Sequence, residues 1–111
     1  VEPDPVGLAG DPLEAAGREF TTLVRRVSGL SPAALHRRRE GLDRWLAEVR
    51  ELTAAVVHRA LPILPVVADH SVTDAVAVVG SDLLAVLADH RDDAVALDLV
   101  RVTRAALEET R

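Results

Sequence analysis

The chain has 111 residues, 49% of them apolar and nearly all of those Ala, Val or Leu, with one Phe and one Trp as the only aromatics and a net charge of −5. That length supports one domain with one modest core. The absence of Cys excludes thiolate nucleophiles, disulfides and thiolate-held metals, and the acidic balance disfavours a nucleic-acid-binding surface.

Residues 1–10, with two Pro and two Gly, read as a flexible N-terminal arm, and 11–111 as a single helical domain. With no Met in the chain, Val1 is expected to follow processing or trimming of a longer sequence. The first helix starts at Asp11-Pro12-Leu13-Glu14, where Asp11 is placed to cap, Pro12 sits where no amide is needed, and Glu14 closes a capping box. Leu13, Ala16, Phe20, Leu23, Val27 and Leu30 then recur every three or four residues and form one stripe. Ser28-Gly29 supplies the stop, and Ser31-Pro32 restarts a helix with the same cap. So short a link predicts that the first two helices are neighbours.

The second helix is expected over 31–61, with Leu35, Leu42, Trp45, Leu46, Val49, Leu52, Val56 and Ala60 on its apolar side. It would extend about 45 Å, against about 26 Å for the first helix. A break near Gly41, a projecting end or a second copy of the chain would each absorb the mismatch. Pro62 and Pro65 remove amides and disfavour helix before them, which predicts a kink. Ser71, three residues before Asp74, is a candidate cap for a third helix carrying Val76, Val79, Leu83, Val86 and Leu87. Gly80-Ser81 in its middle marks a bend or a close approach. Its β-branched Ala-Val-Ala-Val-Val-Gly run has no partner strand, so helix is the expectation. Asp92 or Asp93 caps a last helix whose broad apolar face predicts more than one neighbour. The fold expected is therefore all-α, a small bundle of about four helices kinked around Pro62-Pro65, with dimerisation as one way of completing it.

Candidate chemistry is sparse. His70 and Asp74 are four apart and could share a helical face, as could His90 and its neighbouring aspartates, with lone pairs suited to a divalent metal. Glu48 and Glu51 form an ExxE pair, and Asp89 and Asp92 a DxxD pair. These tetrads resemble the paired carboxylates of helical nucleotide pyrophosphatases of the MazG-like family. That resemblance implies Mg²⁺ bridging phosphates and a pyrophosphohydrolase activity. The separation of the tetrads departs from that family's pattern, and no Lys or Asn is available to grip a nucleotide. Helix capping and solvated surface charge account for these residues more simply, so no cofactor and no metal are expected, with His70, Asp74, Glu48 and Glu51 as weak metal candidates.

Arg37, Arg38 and Arg39, preceded by His36, form a basic patch that could meet phosphate or an acidic protein surface. Nearby Glu40 and Asp43 make nucleic acid an unlikely partner. Trp45 stands out as a core anchor or, with Leu42, Leu46 and Val49, as the centre of an interface. The function expected is a non-enzymatic helical module that binds itself as a homodimer, or another protein, through surplus apolar surface on the second and last helices. The alternative is a regulatory or ligand-binding domain with an apolar pocket near the Pro62–Pro65 kink and Gly80. Apolar runs are cut by charges before the length of a membrane span, and no signal peptide is apparent, so a cytoplasmic protein with no membrane role is expected.

Overall fold

The computed structural model describes residues 11–59, 61 and 67–110. The predicted arm over 1–10 and the predicted kink at Pro62-Pro65 lie outside them. Among the described residues are five α-helices and no strand: α1 (Pro12–Ser28), α2 (Pro32–Arg37), α3 (Arg39–Val57), α4 (Val72–Asp89) and α5 (Asp93–Glu109), with a 3-10 turn at Asp69–Ser71 before α4. The β-branched run of α4 is helical throughout, as its isolation requires.

Three of the helix starts are made by the side chains that the local sequence singles out. Asp11 accepts from the Leu13 amide, Ser31 from Ala34 and Asp92 from Val95, each at 3.1 Å. Ser71 departs from expectation: it makes no side-chain cap, and α4 instead grows out of the 3-10 turn, whose Ser71 amide donates to Ala68 O at 2.9 Å. The predicted long second helix is two segments joined at Arg38, three residues before the suspected Gly41. There the Arg38 amide still donates to Ala34 O while the Leu42 amide donates back to Arg38 O. The pair ends at Val57 rather than Leu61. His58 takes the left-handed conformation (φ 58°), and the Arg59 amide reaches back to Ala54 O at 3.2 Å, closing the helix as a Schellman-type stop.

The packing order differs from chain order. The principal contacts pair α1 with α4 and α5, and α3 with α4 and α5. Neither α1 with α3 nor α4 with α5 is a principal pair, although short links join them. The expectation of adjacent first helices is thus corrected: α2 and its elbow carry the chain across, so that α3 lies diagonally from α1. The broad face of α5 is accounted for, because Val95, Ala96, Leu99, Val100, Val102 and Ala106 are all buried between α1 and α3. One continuous core results, built from Ala, Val and Leu around the two aromatics.

Candidate functional site

At the centre of the bundle each long helix contributes one residue to a single cluster. Phe20 of α1 stacks on Trp45 of α3, with ring centroids 6.1 Å apart and planes within 2°. The indole Nε1 donates to Thr103 Oγ1 of α5 at 3.1 Å in a buried hydrogen bond, which satisfies its one polar atom. The Phe20 ring lies directly against Gly80 of α4, where any Cβ would overlap it. Gly80 is therefore a close approach filled from within by Phe20, and the Pro62–Pro65 side of the expected apolar pocket lies outside the described residues. The same geometry corrects the expected interface. Leu42, Trp45, Leu46 and Val49 are all buried inside the one chain, Trp45 being 1% exposed. Their stripe is covered by α4 and α5, not by a second molecule.

The basic patch is divided by the helical turn. Arg39 points inward, only 18% exposed, and is held by Asp43 at 2.9 Å, Asp69 at 2.8 Å and the Val67 carbonyl at 2.7 Å. Asp69 also accepts from His36 Nδ1 at 2.8 Å when that nitrogen carries the proton. These bonds clamp the α2–α3 elbow onto the turn that opens α4. The hydrogen bond with Asp43, followed by that with Asp69, raises the Arg39 pKa against an opposing desolvation effect. Hydrogen bonds from His36 and then Arg39 hold the Asp69 carboxyl below its ordinary range. Arg37 is exposed and Arg38 half-buried, so the three do not present one cationic surface. A second tie joins Arg91, between α4 and α5, to Asp93 at 3.0 Å and to Asp11 at the start of α1. Those two carboxylates, Asp93 first, raise the Arg91 pKa. Nothing in the sequence around Asp69 announced its role, since its partners lie 30 and 33 residues away.

The carboxylate and histidine candidates remain apart. Glu48, Glu51, His70, Asp74 and Asp89 are exposed, and Asp92 is spent as the α5 cap. Among the described residues no three His, Asp or Glu side chains gather in a group that could hold a metal ion. The ExxE and DxxD pairs therefore do not assemble a joint centre. Where α3 ends, a cleft of about 540 Å³ brings His58 near His90, Arg91 and Asp92. Its arginine is committed to Asp11 and Asp93, and its aspartate to the cap.

Leu97 of α5 stays 56% exposed, as the broad face of the last helix allows, and further apolar surface lies open along α1 and α4. Grooves of about 740 and 330 Å³ run between these helices, sharing Phe20, Thr21 and Arg25 and bordered by Val24, Ala77, Ser81 and Leu84. Beside them Val78 is 58% exposed. The stretch Asp69–Asp89 has a mean hydropathy of 1.7 over its most apolar window, yet only 33% of that window is buried. By length and composition alone it could cross a membrane, although Asp74 and Asp82 interrupt its apolar run. A core helix of a helical bundle passes the same test, and one side of α4 is buried in the core. The predicted apolar positions Val76, Val79, Leu83 and Leu87 of α4 are buried, and Val78 lies outside that stripe, where a single apolar residue carries no periodic signal of its own. Comparison with known protein families, with characterised proteins and with solved structures finds no match to this chain. Fold and surface therefore define its class: a small all-helical domain in which the described residues form no evident catalytic or metal centre.

Proposed function

We propose that this domain is a non-enzymatic contact module, acting by self-association or by docking on another protein through the face shared by α1 and α4. The observation that carries the reading is the mismatch on α4. It is the most apolar helix of the bundle by composition, yet it leaves Val78 and the adjoining groove uncovered. Contiguous apolar surface of this kind marks contact sites, because covering it releases water just as core formation does. At Gly80 the space between α1 and α4 is taken by the Phe20 ring.

The test is solution mass over a concentration series for the wild type and for Val78→Asp, with and without added Mg²⁺. Metal-independent association that is lost in Val78→Asp is the expected result. Association that needs the metal, or that survives Val78→Asp unchanged, refutes the reading.

A further inference from the structure

We infer that the occupant of the α1–α4 face is a second copy of this chain, seated about a twofold axis that runs along the groove. This rests on the contact-module reading and adds the partner and the register. The argument comes from charge. Helix α4 carries Asp74, Asp82 and Asp89 and no basic residue, and all three are exposed. Across the groove α1 presents exposed Arg18 and Arg25, with Glu14 as its one exposed acid. The arginines near and along α5 are engaged: Arg91 with Asp11 and Asp93, Arg101 with Asp98, and Arg104 with Glu19. Arg18, Arg25, Asp74 and Asp82 make no ion pair among the described residues. One face thus holds a cationic edge and an anionic edge side by side, both unspent, with apolar surface between them.

Such a face is complementary to itself. Phe20 lies against Gly80, with Arg18 and Gly17 in the groove that reaches Leu84, and Val24 and Arg25 in the groove that reaches Ala77, an order in which α1 and α4 run antiparallel. Rotation by a half-turn about the groove lays α1 of one copy over α4 of the other while preserving that register. Arg25 then meets Asp74 of the second copy and Arg18 meets Asp82, each pair occurring twice as an isologous contact demands. Val78 of each copy enters the shallow groove of the other beside Thr21 and Ser81.

Size sets the strength. Two helices about 26 Å long, together about 20 Å wide, offer about 500 Å² per copy. That is about 1,000 Å² in total, at the lower edge of specific interfaces and in the range of transient ones, so the micromolar range is the one to search. The ion pairs at the rim choose the partner and the register more than they add affinity.

The experiment is sedimentation equilibrium from about 1 to 300 μM, bracketing that range. It compares the wild type, Arg18→Asp/Arg25→Asp, Asp74→Arg/Asp82→Arg and an equimolar mixture of the two variants. All four sites are exposed, and circular dichroism confirms that each variant is folded. The expected result is a wild-type dimer, two monomeric variants and a mixture that regains the dimer mass. A dimer indifferent to both charge reversals but lost in Val78→Asp overturns the twofold register while leaving the contact reading intact. A wild type that stays monomeric throughout overturns the second copy as occupant, and binding of that monomer to phosphatidylcholine vesicles identifies a lipid surface in its place.

Discussion

Gly80→Ala separates the packing described above from simple helix propensity, because the two predict opposite signs. A glycine inside a helix costs about 1 kcal/mol relative to alanine, so propensity alone makes the substitution stabilising. The structure places a Cβ at that position within the Phe20 ring, with even the farthest of three overlapping atoms at 2.6 Å. Ordinary contact begins near 3.4 Å. The ring would have to retreat by about 1 Å. It cannot do so freely, because it stacks on Trp45 and Trp45 is fixed by Thr103. Overpacking of this kind costs about 1–3 kcal/mol, and a disturbed aromatic pair about another 1. After the propensity gain the net loss is about 2 kcal/mol, which lowers Tm by about 10 °C for a domain of this size. Gly17→Ala is the internal comparison, since nothing lies within 4 Å of a Cβ there; it should gain up to about 1 kcal/mol. Urea and thermal unfolding, followed by circular dichroism and by the emission of the single Trp, read both. If Gly80→Ala proves as stable as Gly17→Ala, the close approach of α1 and α4 at Phe20 is refuted.

Thr103→Val keeps the side-chain shape but leaves the Trp45 Nε1 donor buried without its partner; urea unfolding should show a loss of about 1–2 kcal/mol. An unchanged midpoint would mean that water or another acceptor satisfies the indole. Asp69→Asn tests the elbow clamp through its pH dependence. The native Asp69 pKa is lowered by His36 and Arg39, so its contribution is complete above the ordinary carboxylate range and is lost as pH falls through the lowered native value. The wild-type advantage over Asp69→Asn in urea midpoint should therefore be present at neutral pH and shrink on acidification. A gap that stays constant down to acid pH would show that the carboxylate charge is not what matters.

Parts of the fold that depend on a few neighbouring residues were legible in the sequence. The caps by Asp11, Ser31 and Asp92 are geometric consequences of side chains one turn from the amides they accept, and the helical state of α4 follows from the lack of any strand to pair with. The order of helix contacts was not legible. A short link limits how far apart two helix ends lie but does not set the angle between the axes, and at Arg38 that angle is held by Asp69, far along the chain. The candidate interface illustrates a related limit. Periodicity correctly marked Leu42, Trp45, Leu46 and Val49 as one apolar side of a helix, but the pattern is identical whether another helix of the same chain or a second molecule covers it. Here α4 and α5 do so, while Val78 and Leu97 remain exposed outside the buried stripes of α4 and α5.

Among the described residues, exposed charge without an ion pair occurs in several places, Arg37, Glu48 and Glu51 included, and on the α1–α4 face it is sorted by sign. With the two aromatics, Gly80 and Thr103 meeting at the centre, the interior is committed to holding four helices together. Several surface charges are committed as well, to the α2–α3 elbow, to the start of α1 and to α5. Exposed aspartates and arginines flanking Val78 lack such duties and would be indifferent to folding, since exposed charges add little stability on their own. Their arrangement, anionic along α4 and cationic along α1, acquires a consequence only when another surface of the opposite order is laid across it. Because α4 has its other side in the core, any such contact is linked to folding by mass action, and with a second copy as the proposed partner the expected signature is stabilisation that grows with protein concentration.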